Sequence, residues 1–357
     1  MQRILGIDVA RALAVIGMII VNFKVVFGGE GATWAKTVIG LFEGKAAATF
    51  VVLAGVGIAL MSNSAIRNND LEKLRTARGR LLKRAALLFV IGLTYMPIWP
   101  ADILHFYGIY MLLAYLLIDV KRNGILAVAI TLIAVYPVLM LIWDYESSWN
   151  FESFTYLDFW TLPGFFRNLF FNGFHPVIPW AAFMLIGLWF GKQNLNDDAF
   201  IKRSLKWSLG LFVSIQLFSY LAIRLLSGSD PIGTEELSLL IGTSPMPPLP
   251  VYMISGSSLA IFVISAAILI AKKYPGNGII KALNVTGQLA LTFYVAHVVF
   301  GMGLVEVFGG QSFGSYTAEF SLYYALIFST CCVLFALVWS KFKQTGPLEW
   351  VIRKLTA

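Results

Sequence analysis

The three histidines of this sequence are the side chains best suited to acid–base chemistry, because each lies in or beside a long apolar run. His105 follows Asp102 by three residues in WPADILHFYG. At helical spacing that carboxylate would orient the imidazole and raise its basicity, as an acid–base site requires. His175 begins the run HPVIPW, and His297 lies near the middle of ALTFYVAHVVFG. For each of them the alternative is a buried histidine that only makes structural hydrogen bonds.

A second polar set lies in the first apolar run, GIDVARALAVIGMIIVN. Asp8 and Arg11 are three residues apart, so they share one helical face and can form an ion pair. The planar guanidinium of Arg11 also suits a phosphate or a carboxylate ligand. Asn22 lies near the far end of the run, where a hydrogen bond to a neighbouring helix is its alternative use. Ionisable groups at bilayer depth cost about 2.5–3.5 kcal/mol on insertion scales, so they normally face a cavity or a partner.

The sequence gives little support for a metal centre or a disulfide. Three histidines would be enough ligands for zinc, but there are no accompanying thiolates and no paired His-x-x-His spacing, so we expect no metal. Cys331 and Cys332 are neighbours within an apolar run and cannot easily reach disulfide geometry.

The composition indicates that membrane helices must position these residues. The chain has 357 residues, is 58% hydrophobic and only 13% charged, and has a mean hydropathy of +0.77. A soluble domain is about 25% charged, so lipid must solvate this chain. We predict an all-α polytopic helical bundle, a single transmembrane domain over residues 1–357. Its expected membrane helices number about ten: Leu5–Phe27, Thr37–Met61, Ala85–Trp99, Ile103–Ile118, Gly124–Trp143, Pro176–Phe190, Leu205–Leu226, Val251–Ala271, Gly287–Phe308 and Phe320–Trp339.

The distribution of Lys and Arg predicts the orientation. With the N-terminus inside and the runs alternating, most of the 27 basic residues fall in cytoplasmic segments, and the C-terminus is also inside. The net charge of +8 thus reflects membrane topology, and nucleic acid is not an expected partner. The basic cytoplasmic linker 63–84 would lie on anionic lipid or receive a polyanionic cytosolic cofactor. Long outer loops are expected at 144–175 and 227–250.

Six motifs resemble the YeiB-like membrane proteins, a family also called domain of unknown function 418. In order, these motifs are GIDVARALAVIGMIIVN, FEGKAAATFVVLAGVGIALM, DILHFYGIYMLLAYLL, HPVIPWAAFMLIGLWFGK, GQLALTFYVAHV and GPLEWVIRKLT. They run in order over nearly the whole chain, and the terminal GPLEWVIRK is the most specific of them.

That family is similar to the heparan-α-glucosaminide N-acetyltransferases and belongs with the transmembrane acyltransferases. The resemblance implies that an acetyl group passes from cytosolic acetyl-CoA to a sugar amine across the membrane. Asp8, Arg11 and Asn22 match the opening helix of the acetyltransferase at identical spacing, and Tyr294–His297 resembles its Y-V-x-H. In one respect the chain departs from it: the acetyltransferase has a His just before a Trp in the first outer loop, where this chain reads EGATW.

The leading hypothesis is an acyltransferase of the bacterial inner membrane, with acyl-CoA or acetyl-CoA as co-substrate and a glycan, lipid or small-molecule acceptor. A neutral histidine would deprotonate the acceptor, and Asn22 would donate a hydrogen bond to the oxyanion. His105 with Asp102 is the first choice of base, and His297 the second. A transporter of a small or amphipathic solute and a non-catalytic scaffold are the alternatives; membrane lipid is an expected partner, and a homodimer stays open. The expected substrate-binding residues are Asp8, Arg11, Asn22, His175, Trp180 and Tyr294.

Overall fold

The protein is almost entirely helical in its computed structural model, which describes residues 3–151, 155–228 and 230–356. Its helices are α1 (Leu5–Phe27), α2 (Thr33–Gly40), α3 (Lys45–Arg67), α4 (Leu71–Tyr95), α5 (Leu104–Leu116), α6 (Arg122–Ile142), α7 (Leu162–Arg167), α8 (Val177–Gly191), α9 (Asp198–Ser227), α10 (Pro231–Ile241), α11 (Pro250–Lys273), α12 (Gly278–Gly287), α13 (Ala290–Ala296), α14 (Gly303–Phe308), α15 (Ala318–Trp339) and α16 (Pro347–Thr356). Two π-helical segments, Asn168–Asn172 and His297–Met302, follow α7 and α13. A small antiparallel hairpin pairs β1 (Trp149–Asn150) with β2 (Thr155–Tyr156).

The chain divides into two compact units, each of which has its own set of packed helices. The first unit consists of Met1–Phe50, Asn196–Trp207 and Leu259–Lys354. The second unit consists of Val51–Leu195, Ser208–Ser258 and Leu355–Ala357. The expectation of a single transmembrane domain stays a prediction.

Within the described residues, seven helical segments are long and apolar enough to cross a membrane, and a bent pair makes an eighth. The seven are Leu5–Phe27, Thr33–Arg67, Arg122–Ile142, Asp198–Ser227, Pro250–Lys273, Ala290–Phe308 and Ala318–Trp339. The bent pair, Leu162–Asn172 with Val177–Gly191, turns by 47°. The predicted all-α polytopic membrane fold is therefore confirmed, whereas the count of ten and the N-in/C-in orientation stay predictions.

The remaining two predicted runs form the helices α4 and α5, which pack against each other. α4 joins most of the basic linker to the third apolar run in one helix that begins at Leu71. Asp70 starts it by accepting a hydrogen bond from the Lys73 backbone N–H at 3.0 Å. α5 has only 13 residues, so it is shorter than a typical membrane crossing.

The predicted outer loops contain regular structure. In the segment 144–175, Arg167 donates to Ser148 Oγ at 2.5 Å, to Asp158 Oδ2 at 2.6 Å and to the Tyr156 hydroxyl at 2.8 Å. These bonds connect the hairpin to α7. Residues 152–154 of this loop and residue 229 of the loop 227–250 lie outside the described residues. The loop 227–250 contains α10, which Asp230 caps through the Ile232 and Gly233 N–H groups at 3.1 Å.

In the second unit, α3 and α8 touch backbone to backbone at glycines. A Cβ added at Gly55 would lie 2.6 Å from Leu188 N and 2.9 Å from Gly187 C, and one added at Gly187 would lie 2.8 Å from Val52 C. The small residues thus permit the close helix–helix approach that is common in membranes.

A valine at Gly55 is expected to separate α3 from α8, because real Cβ atoms do not approach backbone this closely. We predict a loss of about 1–3 kcal/mol or more, typical of overpacking, measured as a lower melting temperature in detergent. Gly210→Ala on α9 is the matched control, since a Cβ there meets nothing within 4 Å. An equal loss in both variants would contradict the packing explanation.

Candidate active site

In the first unit, α1 carries a buried carboxylate shared by two arginines. Asp8 Oδ1 accepts from Arg11 Nη1 at 2.6 Å, and Asp8 Oδ2 accepts from Arg3 Nε at 2.6 Å. The ion pair predicted from the spacing of Asp8 and Arg11 is therefore present, and Arg3 is a partner that the sequence analysis missed. Asp8 is 3% exposed, whereas Arg11 and Arg3 are 30% and 51% exposed. The cluster has one excess positive charge and guanidinium donors within reach of an anion.

The same helix brings Asn22 to His297. Asn22 Nδ2 lies 2.9 Å from His297 Nε2, although the two residues are 275 positions apart in the chain. The other ring nitrogen, Nδ1, bonds to the carbonyl oxygen of Tyr294. A carbonyl only accepts, so Nδ1 carries the hydrogen. In the neutral ring the Nε2 lone pair therefore accepts the Asn22 amide N–H, and His297 has the tautomer that a general base needs.

The surroundings of this pair are aromatic and tightly packed. His297 is fully buried, and its ring centroid lies 5.4 Å from that of Tyr294 and 6.1 Å from that of Phe23. A π-helical segment begins at His297, and such segments occur frequently at functional sites. Helix α12 ends in close contact with α1. A Cβ added at Gly287, its last residue, would lie only 2.6 Å from Asp8 C.

The C-terminal motif supplies a residue that the sequence analysis also missed. Glu349, in α16, accepts hydrogen bonds from the Leu291 and Thr292 N–H groups at 2.7 and 3.1 Å. These are the first turn of α13, the helix that leads to His297. One feature of the sequence could have pointed to Glu349: it is the acidic residue of the specific motif GPLEWVIRK, which is otherwise apolar and basic.

In the second unit, Asp102 and His105 are three residues apart, and their side chains lie together. Asp102 precedes α5 and caps it, with Oδ2 accepting from Leu104 N at 2.8 Å. His105 Nδ1 lies 3.4 Å from the same oxygen. Both side chains are buried, and His105 Nε2 has no hydrogen-bond partner within the described part of the chain.

His175 and Trp180 belong to the same aromatic cluster as His105. The ring centroid of Phe106 lies 3.9 Å from that of His105 and 6.1 Å from that of His175. The His175 ring meets the Trp180 ring edge-on at 4.6 Å, and the Tyr110 hydroxyl donates to the His175 carbonyl. His175 precedes α8 instead of opening it. The predicted site residues therefore fall into two sets, one in each unit.

Among residues 3–151, 155–228 and 230–356, no group of three or more His, Cys, Asp or Glu side chains is placed to hold a metal ion. The expectation that no metal takes part stays a prediction.

Two family models match the chain. The catalytic domain of heparan-α-glucosaminide N-acetyltransferase matches residues 3–221, which is more than half of the sequence. The chain belongs to this acetyltransferase family. A second model, described as a protein of unknown function (DUF418), matches residues 189–357, so the predicted YeiB-like membership is confirmed. No curated protein matches this chain.

Membership of the acetyltransferase family points to an enzyme of the membrane acetyltransferase type and does not favour the transporter alternative. Asn22 lies in the region matched by the acetyltransferase model, and His297 lies in the region matched only by the second model. The hydrogen bond between them thus joins residues from both matched regions.

Proposed function

We propose that this chain transfers an acyl group from acetyl-CoA or another acyl-CoA to a hydroxyl or amine, with His297 as the base and Asn22 as the oxyanion donor. The observation that carries the proposal is the 2.9 Å contact between Asn22 Nδ2 and His297 Nε2. The mechanism requires these two groups side by side, and His297 is the histidine that lies beside Asn22. His105 with Asp102, the first choice from the sequence, lies in the second unit and remains the alternative base.

The chemistry follows from the donors and acceptors of the pair. The acceptor O–H or N–H gives its hydrogen to His297 Nε2 while its heavy atom attacks the thioester carbonyl carbon. Asn22 has two N–H groups, so the amide can donate to the carbonyl oxygen as it becomes an oxyanion. The C–S bond then breaks, and the imidazolium returns the proton to the departing CoA thiolate. The products are the acylated acceptor and free CoA.

Helix α1 supports the placement of the acyl donor. Arg11 and Asn22 are eleven residues apart on α1, which corresponds to about 16 Å along the axis. An extended pantetheine arm has a similar length, so phosphates held at Arg11 and Arg3 would present the thioester near Asn22. Tyr294 fixes the tautomer of His297 through its carbonyl oxygen. The predicted roles of His175 and Trp180 in substrate binding stay predictions.

The location and partners are also part of the proposal. We place the chain in the bacterial inner membrane. The positive-inside rule then puts both termini in the cytoplasm, Asp8 and Arg11 near the cytoplasmic face and Asn22 nearer the outside. Acyl-CoA would enter from the cytoplasm, and a glycan or lipid acceptor would approach from outside. Membrane lipid is the expected partner, and a homodimer is the expected form if the chain self-associates.

The direct test incubates purified protein in nanodiscs with acetyl-CoA labelled in the acetyl group. Binding of CoA and transfer of the labelled acetyl group from acetyl-CoA to an acceptor would support the proposed function. If neither occurs and proteoliposomes instead take up a solute on a proton gradient without CoA, the proposal is wrong.

Arg11→Met is expected to raise KM for acetyl-CoA about 10–100-fold with little change in kcat, because hydrogen bonds to charged groups contribute roughly 1.5–3 kcal/mol. Asp8 keeps Arg3 as a partner in this variant. With acetyl-pantetheine, which has no phosphate, KM should not respond to the substitution. Lys281→Met, an exposed cation on α12, is the control. A similar rise in KM with both donors would contradict phosphate recognition.

A further inference from the structure

Glu349 makes a compact set of contacts at the start of α13. Its Oε1 accepts from Leu291 N at 2.7 Å and from Thr292 N at 3.1 Å, and its Oε2 accepts from Thr292 Oγ1 at 2.6 Å. Leu348 N donates back to Thr292 Oγ1 at 3.2 Å. Both carboxylate oxygens are thus bonded to one helical turn.

These contacts satisfy backbone N–H groups at the start of α13 that no neighbouring side chain in the sequence satisfies. The first N–H groups of a helix have no partner within it, and a side chain just before the helix usually caps them. The residue before α13 is Leu289, which has no capping side chain. Glu349 supplies the cap from 58 residues further along, and its negative charge suits the positive end of the helix dipole.

The capped helix is short and leads directly to the proposed base. α13 runs from Ala290 to Ala296, about 10 Å, and His297 follows it at once. The Tyr294 carbonyl that holds His297 Nδ1 belongs to this helix. A rotation or shift at its first turn therefore moves both the imidazole and the carbonyl that fixes its tautomer.

We propose that Glu349 is a positioning residue for His297, acting through α13 and with Thr292 as the bridge. Its catalytic consequence rests on the proposed function, but its structural consequence does not. The glutamate of the GPLEWVIRK motif would then serve the acyl-transfer centre.

The test compares Glu349→Ala, Glu349→Gln, Thr292→Val and Thr292→Ser in the full chain. We expect Glu349→Ala and Thr292→Val to lower kcat about tenfold or more, because a loosened first turn of α13 misplaces the His297 imidazole, with KM for acetyl-CoA unchanged. Glu349→Gln and Thr292→Ser keep an acceptor oxygen or the hydroxyl and should recover most of kcat. Glu306→Gln, an exposed carboxylate of α14, is the control.

The second readout is the ¹⁵N spectrum of the histidine side chains, which contains only three residues to assign. His→Gln variants identify each signal. In Glu349→Ala the His297 signals should shift or split as the Nδ1–H tautomer loses its fixed carbonyl, while His105 and His175 stay unchanged. If Glu349→Ala lowers the melting temperature and leaves the His297 signals in place, Glu349 is merely structural and the proposal is wrong.

The two proposals fail in different ways. If the wild-type protein transfers no acyl group, the proposed function fails, and the ¹⁵N spectrum alone decides the role of Glu349. If Glu349→Ala does not fold, Thr292→Val decides it, with Thr292→Ser as its matched control. Unchanged His297 signals and unchanged kcat in Thr292→Val would overturn the proposal.

Discussion

Replacing His297 with glutamine is expected to lower kcat for acyl transfer by about 10²–10⁴-fold, the usual contribution of a general base. Glutamine can still accept a hydrogen bond from Asn22, but it has no nitrogen that takes up the acceptor's proton. The binding of CoA should be retained, because the proposed phosphate ligands Arg11 and Arg3 lie eleven or more residues before Asn22, the residue of α1 that contacts His297. Initial rates and equilibrium binding of CoA measure the two effects separately.

His105→Gln is the control for this experiment. Its imidazole is equally buried but belongs to the second unit and pairs with Asp102. We expect its kcat to stay close to that of the wild type. The opposite pattern, with His105→Gln inactive and His297→Gln active, would assign the base to the His105–Asp102 pair and contradict the proposed site.

Asn22→Leu is expected to lower kcat about 10²–10³-fold, as the loss of one oxyanion donor typically does. Leucine has nearly the same shape as asparagine but no N–H to offer the developing negative charge. Since the interaction strengthens only in the transition state, KM for acetyl-CoA should change little. Single-turnover rates with labelled acetyl-CoA measure the chemical step directly.

Asn63→Leu provides a matched comparison for Asn22→Leu. Asn63 is buried and donates to the Gly191 carbonyl at 2.9 Å, so it connects α3 to α8 without touching either histidine set. Its loss should lower the melting temperature and leave kcat nearly unchanged. If Asn22→Leu behaves in the same way, Asn22 only connects helices, which is the alternative considered from the sequence.

The helices themselves were largely predictable, because an apolar run of membrane length is a local signal. The run Leu5–Phe27 matches α1 at both ends. The helical content of the outer loops was missed, although Asp230 before Pro231 is a recognisable start signal for α10. The predicted boundary between the basic linker and the run that follows it is absent, because no residue between Leu71 and Tyr95 breaks the helix.

The site was predictable only in part, because its contacts join distant positions. Asp8 with Arg11 could be paired from spacing, whereas a single sequence gives no distance between Asn22 and His297 or between Glu349 and Leu291. The resemblance to acyltransferases drew attention to Asn22 and His297 separately. Asp102 and His105 could likewise be paired from their spacing, and the carboxylate lies 3.4 Å from the imidazole while it also accepts from Leu104 N at the start of α5.

If the proposed function holds, the hydrogen bond that Asn22 makes to His297 Nε2 has a consequence for the protein before substrate binds. The lone pair that would activate an acceptor is already occupied, so a stray water molecule must displace the amide before it can be deprotonated. A base whose lone pair is occupied in this way would activate water poorly, so hydrolysis of a bound thioester would be slow. Under the proposed function, only a molecule with enough contacts of its own to displace the amide would be acylated, so selectivity for the acceptor would depend on the amide–imidazole hydrogen bond.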